Sequence, residues 1–454
     1  MRGADGLLLG VLDDDPTGSQ AVHDVQVVTV LEDSAYAAAL SGPAATCFVL
    51  TNTRSHGEQA AAELNARAAR GLISVARRRG ARIQLISRSD STLRGHVMAE
   101  VTSLQAVRRE MLGDGFDAIL LVPAFLEAGR LTAADIHWAR IGPGLVPVGE
   151  TEFARDPTFG YTASNLKSFV AEKSGGAIGA DKVRSISLAD IRVGGPSVVR
   201  DLLADVHDLT WVVVNATEYS DLETVACGAL LAERAGKALL FRTGPSFVRA
   251  LSGMEPRAPL RGRDLWPAGG HGAYRGYGLI AVGSHVGQTS RQVAALRARG
   301  TASYIELDVP AILGDADDLA TATARQVADA LAQSDVLLCT SRTVAAASSG
   351  PDNLVIARKV SAALARTVGE SLTARPGWIV AKGGITSHDI ALHGLRIRRA
   401  EVAGQLFPGM ISVFHPIEAA SEVIGVPYVV FAGNVGDDET LAQVAQIMHG
   451  GRNG

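Results

Sequence analysis

The densest group of possible catalytic side chains lies close to the amino terminus. Asp13, Asp14 and Asp15 are consecutive and lead into a Pro-Thr-Gly turn. Adjacent carboxylates repel one another, so a cationic side chain, a Mg²⁺ ion or a donating substrate hydroxyl is expected to compensate them. A helix cap would need only one of the three. The triplet therefore indicates a site in which Asp14 or Asp15 acts in catalysis. Asp13 and Thr17 are expected to contact the substrate.

Two further polar segments supply guanidinium and hydroxyl groups. They are TNTRS at Thr51–Ser55 and SRSDSTLRGH at Ser87–His96. A guanidinium can bind a carboxylate through two parallel hydrogen bonds, and hydroxyl groups suit a polyhydroxylated substrate. Asp90 is a further candidate for the general base, or an acceptor for a sugar hydroxyl. The predicted substrate ligands in these segments are Arg54, Arg88, Ser89 and Arg94.

Three glycine-rich segments of the second half are typical of phosphate-binding loops. They are Val282–Ser290, Lys382–Asp389 and Gly433–Asp437. Adjacent glycines let backbone N–H groups approach phosphate closely, and a helix amino terminus favours the same negative charge. The Lys382 ammonium would offset part of that charge. The predicted nucleotide-binding residues are Ser284, Lys382, Gly383, Gly384, Ile385, Thr386, Gly433 and Asn434.

Composition and missing motifs exclude several other classes. The net charge of −4 and the short basic runs indicate that nucleic acid is not a partner. No apolar stretch approaches the ~20 residues of a membrane helix, and no secretory signal is recognisable, so a cytoplasmic protein is expected. The three cysteines form no CxxC pair, which argues against zinc and disulfides. The P-loop, dinucleotide, GxSxG and HExxH patterns are absent.

The elements that must position these residues alternate between strands and helices. Apolar runs at Leu7–Leu12, Cys47–Leu50, Ile83–Ile86 and Ile119–Val122 are separated by helical segments, and the same rhythm restarts at Leu279–Val282. The alternation predicts an α/β protein whose sheets are mostly parallel and flanked by helices. Ligands of such sheets bind beyond the carboxyl ends of the strands.

The chain is expected to form two domains. The segment 253–278 is rich in Gly and Pro, so the predicted domains are 1–255 for a polyhydroxylated acidic substrate and 256–454 for a nucleotide. The active site would lie in the cleft between them. Residues 127–157 are predicted to form one long structured loop, which is usually a functional feature. A homodimer is expected only because most soluble oligomers have C₂ symmetry.

These motifs, in this order, resemble the four-carbon acid sugar kinases over nearly the whole chain. The matching stretches are DDDPTG at Asp13–Gly18, SRSDSTLRGH at Ser87–His96, VPAFLEAGR at Val122–Arg130, FARDP at Phe153–Pro157, GSHVGQTSRQ at Gly283–Gln292, KGGITSHD at Lys382–Asp389, and GNVGD at Gly433–Asp437. The resemblance implies ATP-dependent phosphorylation of a tetronate or 3-oxo-tetronate in sugar-acid catabolism.

The resemblance also implies where the ligands bind. Nucleotide contacts fall on Ser284, Gly383–Thr386 and Gly433, and sugar-acid contacts on Asp13–Thr17 and Arg88–Arg94. The chain departs from the family pattern at Asn215, at Ile385 and at Phe431, the last of which replaces a common lysine. With ATP and Mg²⁺ as cofactors, catalysis would consist mainly of positioning and charge stabilisation.

Three alternatives remain open at this point. A nicotinamide-dependent dehydrogenase of a sugar acid would explain the βαβ units, although it lacks the dinucleotide motif. A non-catalytic sugar-acid sensor would explain the arginine-rich segments and leave the glycine motifs unused. A Mg²⁺-dependent lyase or hydrolase would use the aspartates without ATP. The sequence does not choose among the three aspartates as the base.

Overall fold

A computed structural model describes residues 6–42, 45–266, 276–314, 316–341, 350–433 and 435–451. The chain divides into two compact units, unit 1 at Met1–Pro256 and unit 2 at Arg257–Gly454. The sequence-based boundary lies one residue earlier, and part of the predicted linker, 267–275, lies outside the described residues. Each unit contains the predicted α/β arrangement, and both are described separately below.

In the described part of unit 1, eight parallel strands form one sheet in the order β2-β3-β1-β4-β11-β5-β10-β9. Its central strands are fully buried, which is why they consist of near-continuous apolar residues. The strands of the unit, including three that lie outside this sheet, are β1 (Leu8–Asp13), β2 (Val25–Val28), β3 (Thr46–Leu50), β4 (Ile83–Arg88), β5 (Ala118–Val122), β6 (Arg130–Ala133), β7 (Ile136–Ile141), β8 (Gly144–Pro147), β9 (Arg184–Ile186), β10 (Thr210–Val214) and β11 (Leu239–Thr243).

Helices cover the unit 1 sheet. The longest, α2, buries alanines and Leu72 against the strands, so its backbone lies close to the sheet. The helices are α1 (Asp33–Ala39), α2 (Glu58–Arg78), α3 (Val97–Leu112), α4 (Leu166–Lys173), α5 (Leu188–Arg192), α6 (Gly195–Ala204), α7 (Tyr219–Arg234) and α8 (Pro245–Ser252).

The prediction of one long loop at 127–157 is wrong. Strands β6, β7 and β8 form an antiparallel sheet there. The turn between β6 and β7 consists of Ala134 and Asp135, both with positive φ (52° and 61°). Such turns usually carry Asn or Gly, and without them the hairpin has no recognisable turn signature.

The described part of unit 2 contains a seven-stranded sheet in the order β13-β14-β12-β15-β18-β17-β16. The first five strands are parallel, and β16 and β17 join them as an antiparallel hairpin. The strands are β12 (Leu279–Val282), β13 (Ala302–Leu307), β14 (Asp335–Thr340), β15 (Ile379–Lys382), β16 (Arg399–Phe407), β17 (Ile411–Glu418) and β18 (Tyr428–Phe431). The helices are α9 (Gly287–Arg299), α10 (Val309–Gly314), α11 (Ala316–Leu331), α12 (Gly350–Ser371), α13 (Gly384–Asp389) and α14 (Thr440–Gly451).

The hairpin of β16 and β17 is absent from the sequence-based prediction. Its register shifts three times, once between Val402 and Gly404, where Gly404 has a φ of 146°. A bulge places two residues of one strand opposite one of the other, so the two-residue alternation of side chains is interrupted.

None of the described helices has the length and apolar character needed to span a bilayer.

Candidate functional site

The aspartate triplet lies at the carboxyl end of β1, in the middle of the unit 1 sheet. Since β1 pairs in parallel with β3 and β4, Asp13 lies opposite Leu50 on one side and Arg88 on the other. Nη1 of Arg88 donates to Oδ1 of Asp13 at 2.7 Å and to Oδ1 of Asp14 at 3.2 Å. The parallel register therefore brings two of the predicted polar segments into direct contact.

The third segment joins them through Arg54, which follows β3. Its Nη2 lies 2.6 Å from Oδ2 of Asp15, its Nε 3.3 Å from Oδ2 of Asp14, and its Nη1 3.9 Å from Oδ1 of Asp90. The backbone turns sharply just before Arg54, at Asn52, which has a φ of 49°. The Arg54 guanidinium thus contacts carboxylates from two loops. In this cluster of Asp13, Asp14, Asp15, Asp90, Arg54 and Arg88, the arginines compensate the negative charge of the aspartates.

Gly18 allows the aspartate loop to lie directly on this cluster. A Cβ at this position would lie 2.2 Å from the Asp13 carboxylate oxygens and 2.4 Å from Cζ of Arg88. Thr17 closes the same loop, since its backbone N–H donates to Oδ1 of Asp15 at 2.8 Å. Only a residue without a side chain fits at position 18.

The loop after β4 holds Asp90 between two arginines. Oδ2 of Asp90 accepts from Nε of Arg94 at 2.7 Å and from the Thr92 hydroxyl. Nη1 of Arg94 lies 3.7 Å from Oδ2 of Asp156. Ser89 is buried, and its N–H donates to the Thr243 carbonyl at 2.8 Å. Asp90 is therefore held as a fixed acceptor at the edge of the cluster.

The four aspartates divide into two groups, one with a raised and one with a lowered pKa. Burial raises the pKa of Asp13 to about 7 against the effect of Arg88, and raises that of Asp14 to about 6 against Arg54. Burial also acts on Asp15, but Arg54 and Thr17 outweigh it and hold its pKa below the usual value. For Asp90, burial is outweighed by Arg94 and Arg54, which hold the pKa well below its usual range. A base works best with a pKa near the working pH, which favours Asp13 and Asp14 over Asp15 and Asp90. Of these two, Asp14 is the one that the sequence pattern assigns to catalysis.

Arg88 is already paired inside the cluster. Its side chain is 4% exposed, and its guanidinium is engaged by Asp13 and Asp14. In this arrangement Arg88 is a counter-ion of the buried aspartates, and its contact with a substrate stays a prediction.

Sequence reasoning missed a buried ion pair beneath the cluster. Arg242, near the end of β11, and Glu100, on α3, are each 1% exposed and form an ion pair. Nη1 of Arg242 also donates to the Ser87 hydroxyl at 2.7 Å, and Glu100 accepts from Thr53 at 2.6 Å. The sequence signal for this pair was Arg242 within the apolar run LLFRT, because a charged side chain in a buried strand needs a partner of opposite charge.

The three glycine segments of unit 2 meet at the ends of adjacent parallel strands. Val282 pairs with Lys382, and Lys382 with Phe431, so the loops after β12, β15 and β18 begin side by side. The loops pack so tightly that a Cβ at Gly433 would lie 2.6 Å from Oγ of Ser284, and one at Gly283 2.3 Å from Oγ1 of Thr386.

The loop after β15 has a constrained backbone. Gly383 has a φ of 122°, a conformation that side chains disfavour, and a Cβ there would lie 3.2 Å from Cβ of Ser284. Gly384 begins α13, Ile385 is exposed, and Thr386 is buried. Asn434 lies outside the described residues. Backbone amides and small hydroxyl side chains thus surround a site that suits phosphate.

Lys382, at the end of β15, has a fully buried side chain. Its Nζ donates to the Ala432 carbonyl at 3.1 Å and lies 3.6 Å from the centroid of the Phe431 ring. Burial lowers the pKa of Lys382 to about 7. The ammonium is thus held by the segment that ends β18, and its contact with a phosphate stays a prediction.

Replacing Lys382 with methionine is expected to change how stability depends on pH. The folded pKa of about 7 lies below the unfolded value, so unfolding takes up a proton between these values and wild-type stability rises with pH there. Below pH 7 the cost of the buried lysine is complete and constant. The free energy of unfolding of wild type relative to Lys382→Met should therefore rise by about 2 kcal/mol between about pH 7 and pH 9.

Urea denaturation of both proteins at the two pH values measures this difference. Lys359→Met is the matched control, because Lys359 is an exposed lysine of the same unit. A difference between wild type and Lys382→Met that stays the same at both pH values would contradict the lowered pKa.

The acidic residues that the structure describes do not form a ready metal site. Within the ranges that the structure describes, no group of three or more His, Cys, Asp or Glu side chains is placed to hold a metal ion. The aspartates of unit 1 pair with arginines instead. A Mg²⁺ ion that accompanies a nucleotide is usually bound by phosphate oxygens, water and one or two carboxylates.

Comparisons with known proteins agree with this division of roles. A family model described as a sugar-binding N-terminal domain matches residues 9–251, and one described as a nucleotide-binding C-terminal domain matches residues 279–441. The chain is 27% identical over 377 residues to a D-threonate kinase of Salmonella typhimurium, covering 78% of this chain and 77% of that protein.

Solved structures share the fold. A Haemophilus influenzae protein of the DUF1537 family superposes with a TM-score of 0.61 at 19% identity, covering 97% of this chain and 100% of the other. A protein from Salmonella typhimurium LT2 gives a TM-score of 0.68 at 17% identity, covering 96% and 98%. With both domain models matched in order along the chain, this protein belongs to the four-carbon acid sugar kinase family.

Proposed function

We propose that this protein is an ATP-dependent kinase that phosphorylates a hydroxyl group of a four-carbon sugar acid of the threonate, erythronate or 3-oxo-tetronate class. The observation that carries the proposal is Asp14, which lies with Arg54 and Arg88 at the carboxyl end of the unit 1 sheet, in a domain that the sugar-binding family model matches. The similarity to a D-threonate kinase supports the same reaction class.

In this mechanism, Asp14 accepts the proton of the attacking hydroxyl. Its pKa of about 6 leaves it mostly ionised at neutral pH and still basic enough to take a proton. Asp90 stays ionised and accepts hydrogen bonds from other substrate hydroxyls. Arg54 bridges the two, so it fixes the distance between the base and the acceptor. The residues thus orient one hydroxyl for an in-line attack.

ATP, when bound, supplies the phosphoryl group. The glycine loops of unit 2 would hold its phosphates through backbone N–H groups, with the hydroxyls of Ser284 and Thr386 beside them. Mg²⁺ would be bound chiefly by phosphate oxygens. The placement of the active site in a cleft, the homodimer and the cytoplasmic location stay predictions.

A coupled assay of ADP release tests the proposal. The purified protein is given ATP and Mg²⁺ with threonate, erythronate or their 3-oxo forms, and reactions without an acceptor serve as the control. Saturable ADP release with one acid, with a phosphorylated product by mass spectrometry, would support the kinase. If no acid on the panel is phosphorylated and ATP does not raise the melting temperature, the proposal is wrong.

A further inference from the structure

One arginine of the unit 1 site has no anionic partner. Arg54, Arg88 and Arg94 each pair with aspartates. Arg130 makes no ion pair with any residue that the structure describes, and its buried Nε has no hydrogen-bond partner there. A guanidinium that is partly shielded from water and has no counter-ion is costly, so an anionic ligand would stabilise it.

The backbone holds Arg130 firmly in place. It begins β6 directly after a tight turn at Leu126–Ala128, and Gly129 has a φ of 66°. The Arg130 N–H donates to the Phe125 carbonyl at 2.9 Å, and the Phe125 N–H donates to the Arg130 carbonyl at 3.0 Å. The partly exposed side chain therefore starts from a fixed point at the start of the small antiparallel sheet.

Arg130 shares its surroundings with Arg94. Its Cζ lies 5.7 Å from the centroid of the Phe153 ring, and Cζ of Arg94 lies 5.4 Å from the same centroid. Burial lowers the pKa of Arg130; Asp90 opposes this effect and Arg94 adds to it. Two guanidiniums thus lie against one ring, and Asp90 and Asp156 already pair with Arg94.

The site as a whole is electrostatically polarised. At one end, the three carboxylates of Asp13–Asp15 pair with only two guanidiniums of the described residues, those of Arg54 and Arg88. At the other, Arg130 adds a positive charge without a partner. Asp90 links the two ends, because it contacts Arg94 at 2.7 Å and lies 3.9 Å from Arg54. A ligand that fits has a carboxylate at one end and donating hydroxyls at the other.

We propose that Arg130, with Arg94 beside it over the Phe153 ring, binds the carboxylate of the sugar acid. This inference rests on the proposed function and assigns the acid-selecting group within it. The fork of the guanidinium binds the two carboxylate oxygens, and the hydroxyl chain then extends past Asp90 towards Asp14. A neutral polyol of the same length lacks the group that Arg130 selects.

Binding without nucleotide tests the assignment. D-threonate, L-threonate and D-erythronate are titrated separately by calorimetry into the full-length wild type, Arg130→Gln, Arg130→Lys and Arg184→Gln. Arg184 is an exposed arginine of the same unit and serves as the matched control. Arg130→Gln should weaken binding of the acid that wild type binds by about 10- to 100-fold, and Arg130→Lys by less, because an ammonium lacks the fork.

The outcomes separate this inference from the proposed function. Arg130→Gln that binds the acid as tightly as wild type, while wild type still phosphorylates it, overturns the Arg130 assignment and leaves the kinase standing. Failure of wild type to bind any of the three acids also overturns the assignment, and the ADP-release assay then decides the kinase on its own. A raised KM for the acid with an unchanged KM for ATP in Arg130→Lys would support the assignment even if Arg130→Gln folds poorly.

Discussion

Replacing Asp14 with asparagine is expected to lower kcat about 10²- to 10⁴-fold, the usual contribution of a general base. The substitution preserves the shape of the side chain but removes its ability to take a proton and the negative charge that faces Arg54 and Arg88. Wild-type kcat should fall as the pH decreases through about 6, because Asp14 becomes protonated there. The residual activity of Asp14→Asn should lack this decrease. Steady-state rates over this pH range measure both effects.

Two comparisons make this experiment decisive. Asp90→Asn should act mainly on KM for the sugar acid, since the pKa of Asp90 is too low for a base. Asp114→Asn changes an exposed aspartate of the same unit and should leave the rate unchanged. Near-normal kcat in Asp14→Asn, together with a large loss in Asp15→Asn or Asp90→Asn, would move the base to one of those residues.

Stability data can show that Asp14→Asn acts on chemistry. A raised carboxyl pKa means that the folded protein is stabilised by protonation below the unfolded pKa, and that this stability is lost as the pH rises through about 6. At neutral pH the ionised, buried Asp14 is therefore a cost to folding. The asparagine variant should be at least as stable as wild type, so lost activity would not reflect lost structure.

Replacing Glu100 with alanine is expected to destabilise the protein by about 3–5 kcal/mol, because Arg242 would remain buried without its partner. Glu100 also accepts a hydrogen bond from Thr53, so the loop that carries Arg54 would lose a support. Urea denaturation followed by circular dichroism measures the loss. Glu110→Ala is the matched control: Glu110 lies on the same helix and pairs with Arg70 at 2.7 Å, but both side chains are exposed.

A double substitution distinguishes pairing from packing. Glu100→Met with Arg242→Met removes both charges and keeps most of the buried volume, so it should recover much of the stability lost in Glu100→Ala. If Glu100→Ala costs no more than Glu110→Ala, the buried pair does not stabilise the folded unit.

The meeting of the polar segments was predictable from sequence, whereas their pairing was not. Strands that run parallel end at the same edge, so polar residues after β1, β3 and β4 had to be neighbours. Which arginine engages which aspartate depends on rotamers and burial. Arg88 appeared to be a substrate ligand from its neighbours in sequence, yet its partner lies 75 residues away in the chain.

Two further features of the candidate sites depend on tertiary packing. Lys382 follows an apolar strand and precedes two glycines, a pattern that fits a phosphate ligand as well as a buried side chain. Arg130 lies in a segment whose hairpin has no recognisable turn signature. Both outcomes are decided by tertiary packing, which local patterns do not encode.

Asp13 and Arg88 are the terminal residues of two central, fully hydrogen-bonded strands. These two residues therefore cannot separate while the sheet persists, whereas Asp14, Arg54 and Asp90 lie on the segments that follow the strands. Amides of β1 and β4 should consequently be among the slowest in unit 1 to exchange with deuterium.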